Sequence, residues 1–174
     1  SIRRQRQMCI RDSFNLVAEL NGNYSDRGET SERLAGDPDE NTRVLSSAED
    51  EHNYEIGADY ELGLGAGRLK LIGLHRFESS PTIDRTTTTF VSGLVEGTAF
   101  TRQADEAESI IRTEFSFPAW DSQWRWSLEA TENYLDLDSQ LDSLSADGVL
   151  IPVELPDAKA RVEETRTEST LNVS

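Results

Sequence analysis

Residues 112–130 of the chain read RTEFSFPAWDSQWRWSLEA, and this stretch carries the strongest signal about the fold. Aromatic residues make up only 7% of the sequence, yet five of them crowd around the short turn that contains Pro118. These five are Phe115, Phe117, Trp120, Trp124 and Trp126, and they include all three tryptophans of the protein. On both sides of the turn, apolar and polar residues alternate as in a strand with one face toward an apolar environment. The stretch therefore predicts a β-hairpin whose closed end gathers large aromatic side chains.

The same period of two recurs along much of the chain. In the segment that begins at Phe14, for example, Leu16 and Leu20 fall on one face while Asn15 and Glu19 fall on the other. Because consecutive side chains of a strand point to opposite faces, we predict about six antiparallel strands. The predicted strands cover residues 14–25, 52–62, 68–79, 105–117, 124–134 and 161–174.

The connections between these predicted strands alternate strictly in length. Residues 63–67 and 118–123 form short turns, whereas 26–51, 80–104 and 135–160 are long polar stretches. Antiparallel strands reverse direction at each step, so all the long connections fall at one end of the sheet. Transmembrane β-barrels have this arrangement, with short periplasmic turns and long outer loops. We therefore predict an all-β fold, an antiparallel up-and-down transmembrane β-barrel fragment in contact with the lipid of the cell outer membrane.

Aromatic side chains mark both ends of the predicted strands. Rings that are apolar with one polar edge favour the membrane–water interface, where barrels carry girdles of aromatic residues. The five aromatics around the 118–123 turn are predicted to form the periplasmic girdle. The outer girdle is predicted to consist of Tyr24, Tyr54, Phe77 and Tyr134.

Composition narrows the classes of function. The net charge of −16 argues against nucleic-acid binding, which needs a basic surface. Hydrophobic residues make up only 36% of the chain, and no run of 18 apolar residues predicts a membrane helix. Residues 1–13, SIRRQRQMCIRDS, differ from the rest because they carry four of the seventeen Lys and Arg residues and the only Cys and Met. They resemble a translated sequencing-adapter tail, so we expect a non-native segment followed by a barrel fragment over 14–174.

No catalytic group is predicted. The two histidines, His52 and His75, share the parity of the lipid-facing side chains, which disfavours a role as general base. Gly63, Gly65 and Gly67 match only part of a dinucleotide-binding loop and precede a strand, where that motif requires a helix. We therefore expect neither an enzyme nor a bound cofactor.

No metal site is predicted either. Asp136, Asp138, Asp142 and Asp147 cluster in a predicted outer loop, but the Gly and Glu of an EF-hand are missing, so a hydrated acidic loop is favoured. The opposite parity, predicted to face the barrel lumen, mixes charges of both signs. These residues are Glu55, Asp59, Glu61, Lys70, Arg76, Arg112, Glu114, Arg125, Glu129, Glu164, Arg166 and Glu168. They fit a hydrated wall, or a wall that packs against a polar plug or solute.

Three segments together resemble the barrel of TonB-dependent outer-membrane receptors. They are RLKLIGLHRFESSP, TRQADEAESIIRTEFSF and WRWSLEATENYLDLDSQL, with a threonine-rich stretch between the first two. The resemblance covers residues 14–174 and implies a 22-stranded barrel closed by an N-terminal plug. It implies uptake of a scarce nutrient, such as an iron chelate, cobalamin or a carbohydrate, driven by the TonB complex. The plug, the TonB box and the remaining strands lie outside this sequence, and no ligand-binding residue can be assigned.

Other classes of protein fit the same pattern. A passive porin-like barrel would have the same strands without a plug. A soluble β-sandwich, as in an adhesin or a carbohydrate-binding module, would bury the apolar face between two sheets. A barrel enzyme is disfavoured by the position of both histidines. If the receptor interpretation holds, the polar stretches 26–51, 80–104 and 135–160 would contact the ligand, and their acidity would suit a cationic or metal-bearing one.

Overall fold

The structure is a computed structural model that describes residues 12–33, 40–145, 147–156 and 158–174. The predicted tail 1–13 therefore lies outside the described residues except for Asp12 and Ser13. All regular structure in the described ranges is β-strand, in one antiparallel sheet. The strands are β1 (Ser13–Glu32), β2 (Asn41–Leu64), β3 (Gly67–Ser79), β4 (Thr82–Phe90), β5 (Val95–Ala119), β6 (Ser122–Leu144), β7 (Leu150–Val153) and β8 (Lys159–Val173). The described part of the chain contains no helix long and apolar enough to cross a membrane.

The eight strands form six continuous lines across the sheet. β3 and β4 run end to end between β2 and β5, interrupted only at Ser80 and Pro81, with one register on both sides of the break. Pro81 lacks a backbone N–H, yet its carbonyl still accepts a hydrogen bond from the Asp50 amide at 3.1 Å. β7 and β8 likewise both pair with β6, but the register shifts between them, from Leu141 opposite Val153 to Asp138 opposite Lys159. The prediction of an all-β, up-and-down antiparallel sheet of about six strands is confirmed for the described residues.

The prediction of long outer loops was wrong. The stretches 26–51, 80–104 and 135–160 consist mostly of strand, so the sheet continues far past the predicted strand ends. We call these continuations of the hairpins the arms. The β4–β5 arm ends in a short connection at 91–94, and the described pairing of the other two arms reaches Glu32–Thr42 and Leu144–Leu150. Apolar alternation failed to predict these arms because both of their faces carry many polar residues, while backbone pairing in a ladder needs no apolar face. Threonine-rich β4, TIDRTTTTF, has the β-branched residues that strands favour.

The sheet is a single layer without a covered core. Within the described residues, the only buried hydrophobic side chains are Ala99 and Ala104, and no large side chain is fully buried. The chain of 19.5 kDa exposes 13195 Å², whereas a compact globular protein of that mass exposes about 8,500 Å². Folded domains normally bury each apolar face against a second layer. The described chain therefore leaves the apolar face of this sheet uncovered.

The short turns occur where they were predicted. Trp120 and Asp121 both have positive φ, 51° and 61°, as the right-handed twist of a two-residue hairpin favours. Gly65 has φ of 64°, and it occupies the first central position of the two-residue turn between Leu64 and Gly67. Glycine adopts this conformation without strain, whereas tryptophan and aspartate do so at a cost.

We expect the two turns to respond oppositely to substitution. Asp121→Gly removes the backbone strain of a non-glycine residue with positive φ and should raise the free energy of unfolding by about 1 kcal/mol. Gly65→Ala imposes the same strain on the other turn and should lower it by about 1 kcal/mol. Chemical denaturation followed by circular dichroism measures both variants. Equal effects of the two substitutions would contradict the assigned turn geometry.

Candidate functional site: an apolar band and a charged inner wall

The two faces of the sheet differ in chemistry over the half nearest the short turns. Ladder pairing sets Leu20, Tyr54 and Phe77 side by side at one level, and Leu71, Thr113 and Leu128 at another. We call this side the apolar face. Many of its large side chains are open, as Ile111 at 69% exposure illustrates. Because the face continues from β1 to β8, it forms a broad apolar band instead of scattered exposed residues.

The predicted periplasmic aromatics come together at one edge of this band. Phe117 stacks on Phe115 at 5.2 Å and on Trp124 at 6.4 Å between ring centroids. Trp120 meets Trp124 edge to face at 5.8 Å. Trp126 pairs with Phe115 across the ladder, and its indole N–H donates a hydrogen bond of 3.1 Å to Ser169 Oγ. The structure therefore brings together all five side chains that the sequence analysis placed at this end.

Gly67 makes this aromatic packing possible. A Cβ atom there would lie 3.0 Å from the Phe115 ring and 2.6 Å from the carbonyl oxygen of Ser116. Neither distance leaves room for a side chain. Gly67, which the sequence analysis placed in the short turn 63–67, therefore begins β3 and leaves room for the Phe115 ring.

The predicted outer aromatics are spread more widely. Tyr54 and Phe77 stack at 5.6 Å between ring centroids, and the guanidinium of Arg161 lies 5.2 Å over the ring of Tyr134. Leu20, not Tyr24, pairs with Tyr54 in the β1–β2 ladder. Tyr24 stands four residues further along β1, opposite Asp50. The structure thus places the four outer aromatics on the apolar-face parity but not in one ladder row.

On β5 and β6, beyond the level of Tyr134, the distribution of polar and apolar residues reverses. The apolar-face positions now carry acids, among them Asp105 and Asp136, which face each other across β5 and β6. The positions of the opposite face carry apolar side chains instead, such as Leu137 and Leu141. The two faces of β5 and β6 thus exchange their polar and apolar character at the level of Tyr134.

His75 lies inside the apolar band with both ring nitrogens close to hydroxyls. Its Nδ1 is 2.9 Å from Ser109 Oγ, and its Nε2 is 3.2 Å from the hydroxyl of Tyr54. His52 lies at the band edge, where its Nε2 is 3.3 Å from a carboxylate oxygen of Asp50. These contacts give the ring nitrogens polar partners, which a polar ring on an apolar surface requires. No alternation signal identified Ser109 as the partner of His75, because ladder register is set only in the folded sheet.

We expect removal of Ser109 alone to lower the folding stability more than removal of both members of the His75–Ser109 pair. Ser109→Ala leaves an imidazole nitrogen without its partner and should cost about 1–2 kcal/mol of folding stability. The double variant His75→Phe with Ser109→Ala removes both polar groups and should lie within about 1 kcal/mol of the wild type. Denaturant titration of the three proteins tests this. A double variant no more stable than Ser109→Ala would count against the pairing.

The opposite face, which we call the inner wall, carries the predicted charged set. Its charges are mostly arranged as neighbouring ion pairs. Arg112 lies 2.7 Å from a carboxylate oxygen of Glu114 and 3.5 Å from one of Glu129, and Lys70 lies 3.6 Å from one of Asp59. Arg76 reaches Glu108 only at 3.8 Å. All of these groups are partly exposed, so each pair contributes at most about 1 kcal/mol to stability. Two of these pairs, Arg112–Glu129 and Arg76–Glu108, join residues directly opposite each other on neighbouring strands.

The aspartates predicted to occupy a loop lie mainly on strand β6. Asp138 binds Lys159 at 2.6 Å, and this carboxylate raises the pKa of that amine above its usual value. Asp142 accepts hydrogen bonds from the Gln140 side chain, and Asp147 lies in the turn at the arm tip. No group of three or more possible metal ligands occurs among the described residues. Asp136, Asp138 and Asp142 form a line of carboxylates along one face of a strand, and the loop assignment was wrong for these three.

Comparison with known proteins gives no direct route to a family. No family model matches the chain, and no curated protein sequence matches it. Any function must therefore be argued from the sheet itself.

Proposed function

We propose that residues 14–174 form part of the wall of an outer-membrane β-barrel. The observation that carries this proposal is the apolar band on a one-layer sheet, edged by aromatic side chains and uncovered by any second layer. Lipid is the partner that covers such a band without a second sheet, and the paired sheet satisfies the backbone polar groups that lipid cannot. The apolar face is then the lipid face and the inner wall is the lumen face.

The height of the band fits this placement. Trp124 and Tyr134 stand ten residues apart on β6, which is about 33 Å along the strand. Strands of membrane barrels tilt by about 40°, so the band would stand about 25 Å tall, as in known outer-membrane barrels.

The long arms fit the outer side of such a barrel. β5 has 25 residues and β6 has 23, whereas about 9–11 residues cross a membrane. The parts beyond Tyr54 and Tyr134 would stand in water, and the acidic residues on their outward face fit that position. The exposed Glu132, two residues below Tyr134, would then lie close to the interface, where a charge costs less than at the midplane.

Tryptophan depth measurement tests the membrane placement. All three tryptophans lie at one edge of the band, so quenching by phospholipids brominated at defined depths reports on that edge alone. We expect the strongest quenching from bromine near the headgroup and weak quenching from bromine at the acyl chain ends. Absence of quenching at every depth would refute the membrane proposal and favour a water-soluble sheet.

A pair of arginine substitutions tests which face meets lipid. Ala130 lies on the lipid face near the middle of the band, and its neighbour Thr131 lies on the lumen face. Ala130→Arg should cost about 2–4 kcal/mol of stability in lipid vesicles, because a charge near the bilayer midplane is costly. Thr131→Arg is the matched control and should cost less than about 1 kcal/mol. Similar losses for both variants would exclude a face-specific lipid contact.

We propose further that this barrel belongs to a receptor for TonB-energised uptake of a scarce nutrient. The resemblance of three strand segments to that family supports it. A mixed-charge lumen wall, suited to a polar plug or solute, and tall outer arms, suited to ligand capture, are consistent with it. Its partners would be outer-membrane lipid, the TonB complex and a small nutrient molecule.

The coding DNA on either side of this stretch distinguishes the receptor from a passive porin-like barrel. A receptor requires an upstream plug domain with a TonB box and further alternating strands. A bare signal peptide directly before the first strand would instead support the passive channel. The soluble β-sandwich gains no support from the described strands, which form one sheet and not two packed ones.

A further inference from the structure

The inner wall contains a hollow just above the outer edge of the band. Two neighbouring ladder rows across β3, β5, β6 and β8 form it. They are Arg76, Glu108, Asn133 and Glu164 in one row, and Glu78, Glu106, Leu135 and Val162 in the other. All eight residues line the hollow, which encloses about 320 Å³. That volume lies at the lower end of the range for small-molecule sites.

The hollow combines an apolar floor with an acidic rim. Leu135 and Val162 pair across β6 and β8, and Val162 is 52% exposed although it points away from the lipid face. Four glutamates line the hollow and Arg76 is its only basic lining residue. Glu78 and Glu106 stand directly opposite each other across the ladder, an arrangement that costs stability unless a cation lies nearby. Arg76 is 3.8 Å from Glu108, which is long for an ion pair.

A second hollow on the same wall shows that this charge is local. It encloses about 350 Å³ near the short turns, and three basic residues and two acidic residues line it. The charged lining residues are Glu61, Arg68, Lys70, Glu114 and Arg125. Acidity therefore does not follow from the overall charge of the protein. It is concentrated in the hollow that also has an apolar floor.

We infer that the upper hollow binds a small organic cation with an apolar part, such as an alkyl or aryl ammonium. The ammonium group would lie among Glu78, Glu106 and Glu108, and the apolar part would cover Leu135 and Val162. The inference deepens the proposed receptor function, since it places a ligand subsite on the lumen wall at its outer mouth, and it rests on that proposal. Charge complementarity selects the cation, and the exposed apolar floor selects an amphiphilic one over a hydrated metal ion.

Binding of phenyltrimethylammonium tests the inference, with benzenesulfonate as an anionic probe of similar size. Equilibrium dialysis measures binding of each probe to the whole chain in a nonionic detergent. Micelles without protein serve as the blank. We expect the cation to bind and the anion not to bind. The variant with Glu106→Gln and Glu108→Gln should weaken cation binding about tenfold or more, because it removes two negative charges that attract the quaternary ammonium group. Leu135→Asn should weaken it several-fold while leaving the charge intact.

Glu114→Gln is the matched control. It makes the same change on the same strand and face, but in the second hollow, and should leave cation binding unchanged. Circular dichroism checks that each variant keeps the strand content of the wild type. Equal binding of cation and anion, no cation binding at all, or equal affinity in the double variant and the wild type would each overturn the inference. These failures differ from that of the membrane proposal, which the absence of tryptophan quenching by lipid would reveal.

Discussion

The antiparallel backbone ladder is the interaction on which every other feature of this protein depends. From Gly97 to Ala119, β5 pairs with β6 in one unbroken register, and the β1–β2 ladder is similarly continuous. These bonds satisfy backbone donors and acceptors sideways, so the sheet needs no core to meet its polar requirements. A single layer of this kind can be stable only where its apolar face is covered. The proposed contact with lipid would meet that requirement.

The register of the strands also determines which side chains become neighbours. Because each row is fixed by the ladder, Phe115 meets Trp126, His75 meets Ser109, and Glu78 meets Glu106. A slip of one residue would exchange the two faces and place the charges of the inner wall on the apolar face. Gly67 secures the packing at the lower edge by leaving room for the Phe115 ring. Local packing and sheet register are therefore mutually consistent at this end.

The residues on the two faces of the sheet change along its strands. Near the short turns, one face is apolar and the other carries paired charges. On β5 and β6 past Tyr134, acids occupy the first face, and leucines such as Leu137 occupy the second. On the inner wall, charge also varies with height, from a mixed hollow near the turns to an acidic one near the arms. Both proposals, the lipid contact and the cation site, rest on which residues occupy each face of the sheet at each level along the strands.

The sequence by itself determined the strands of the apolar band, the two short turns and the grouping of aromatic residues around Trp120. Period-two alternation records which face of a strand meets an apolar environment, and this needs no knowledge of partners. Only the tertiary structure decided that the polar stretches are arms of strand, since backbone pairing there leaves no apolar signal. It also decided which rows meet, and so the Ser109 contact of His75 and the hollow around Glu106. Residues on separate strands become neighbours only through register, which alternation within one strand does not specify.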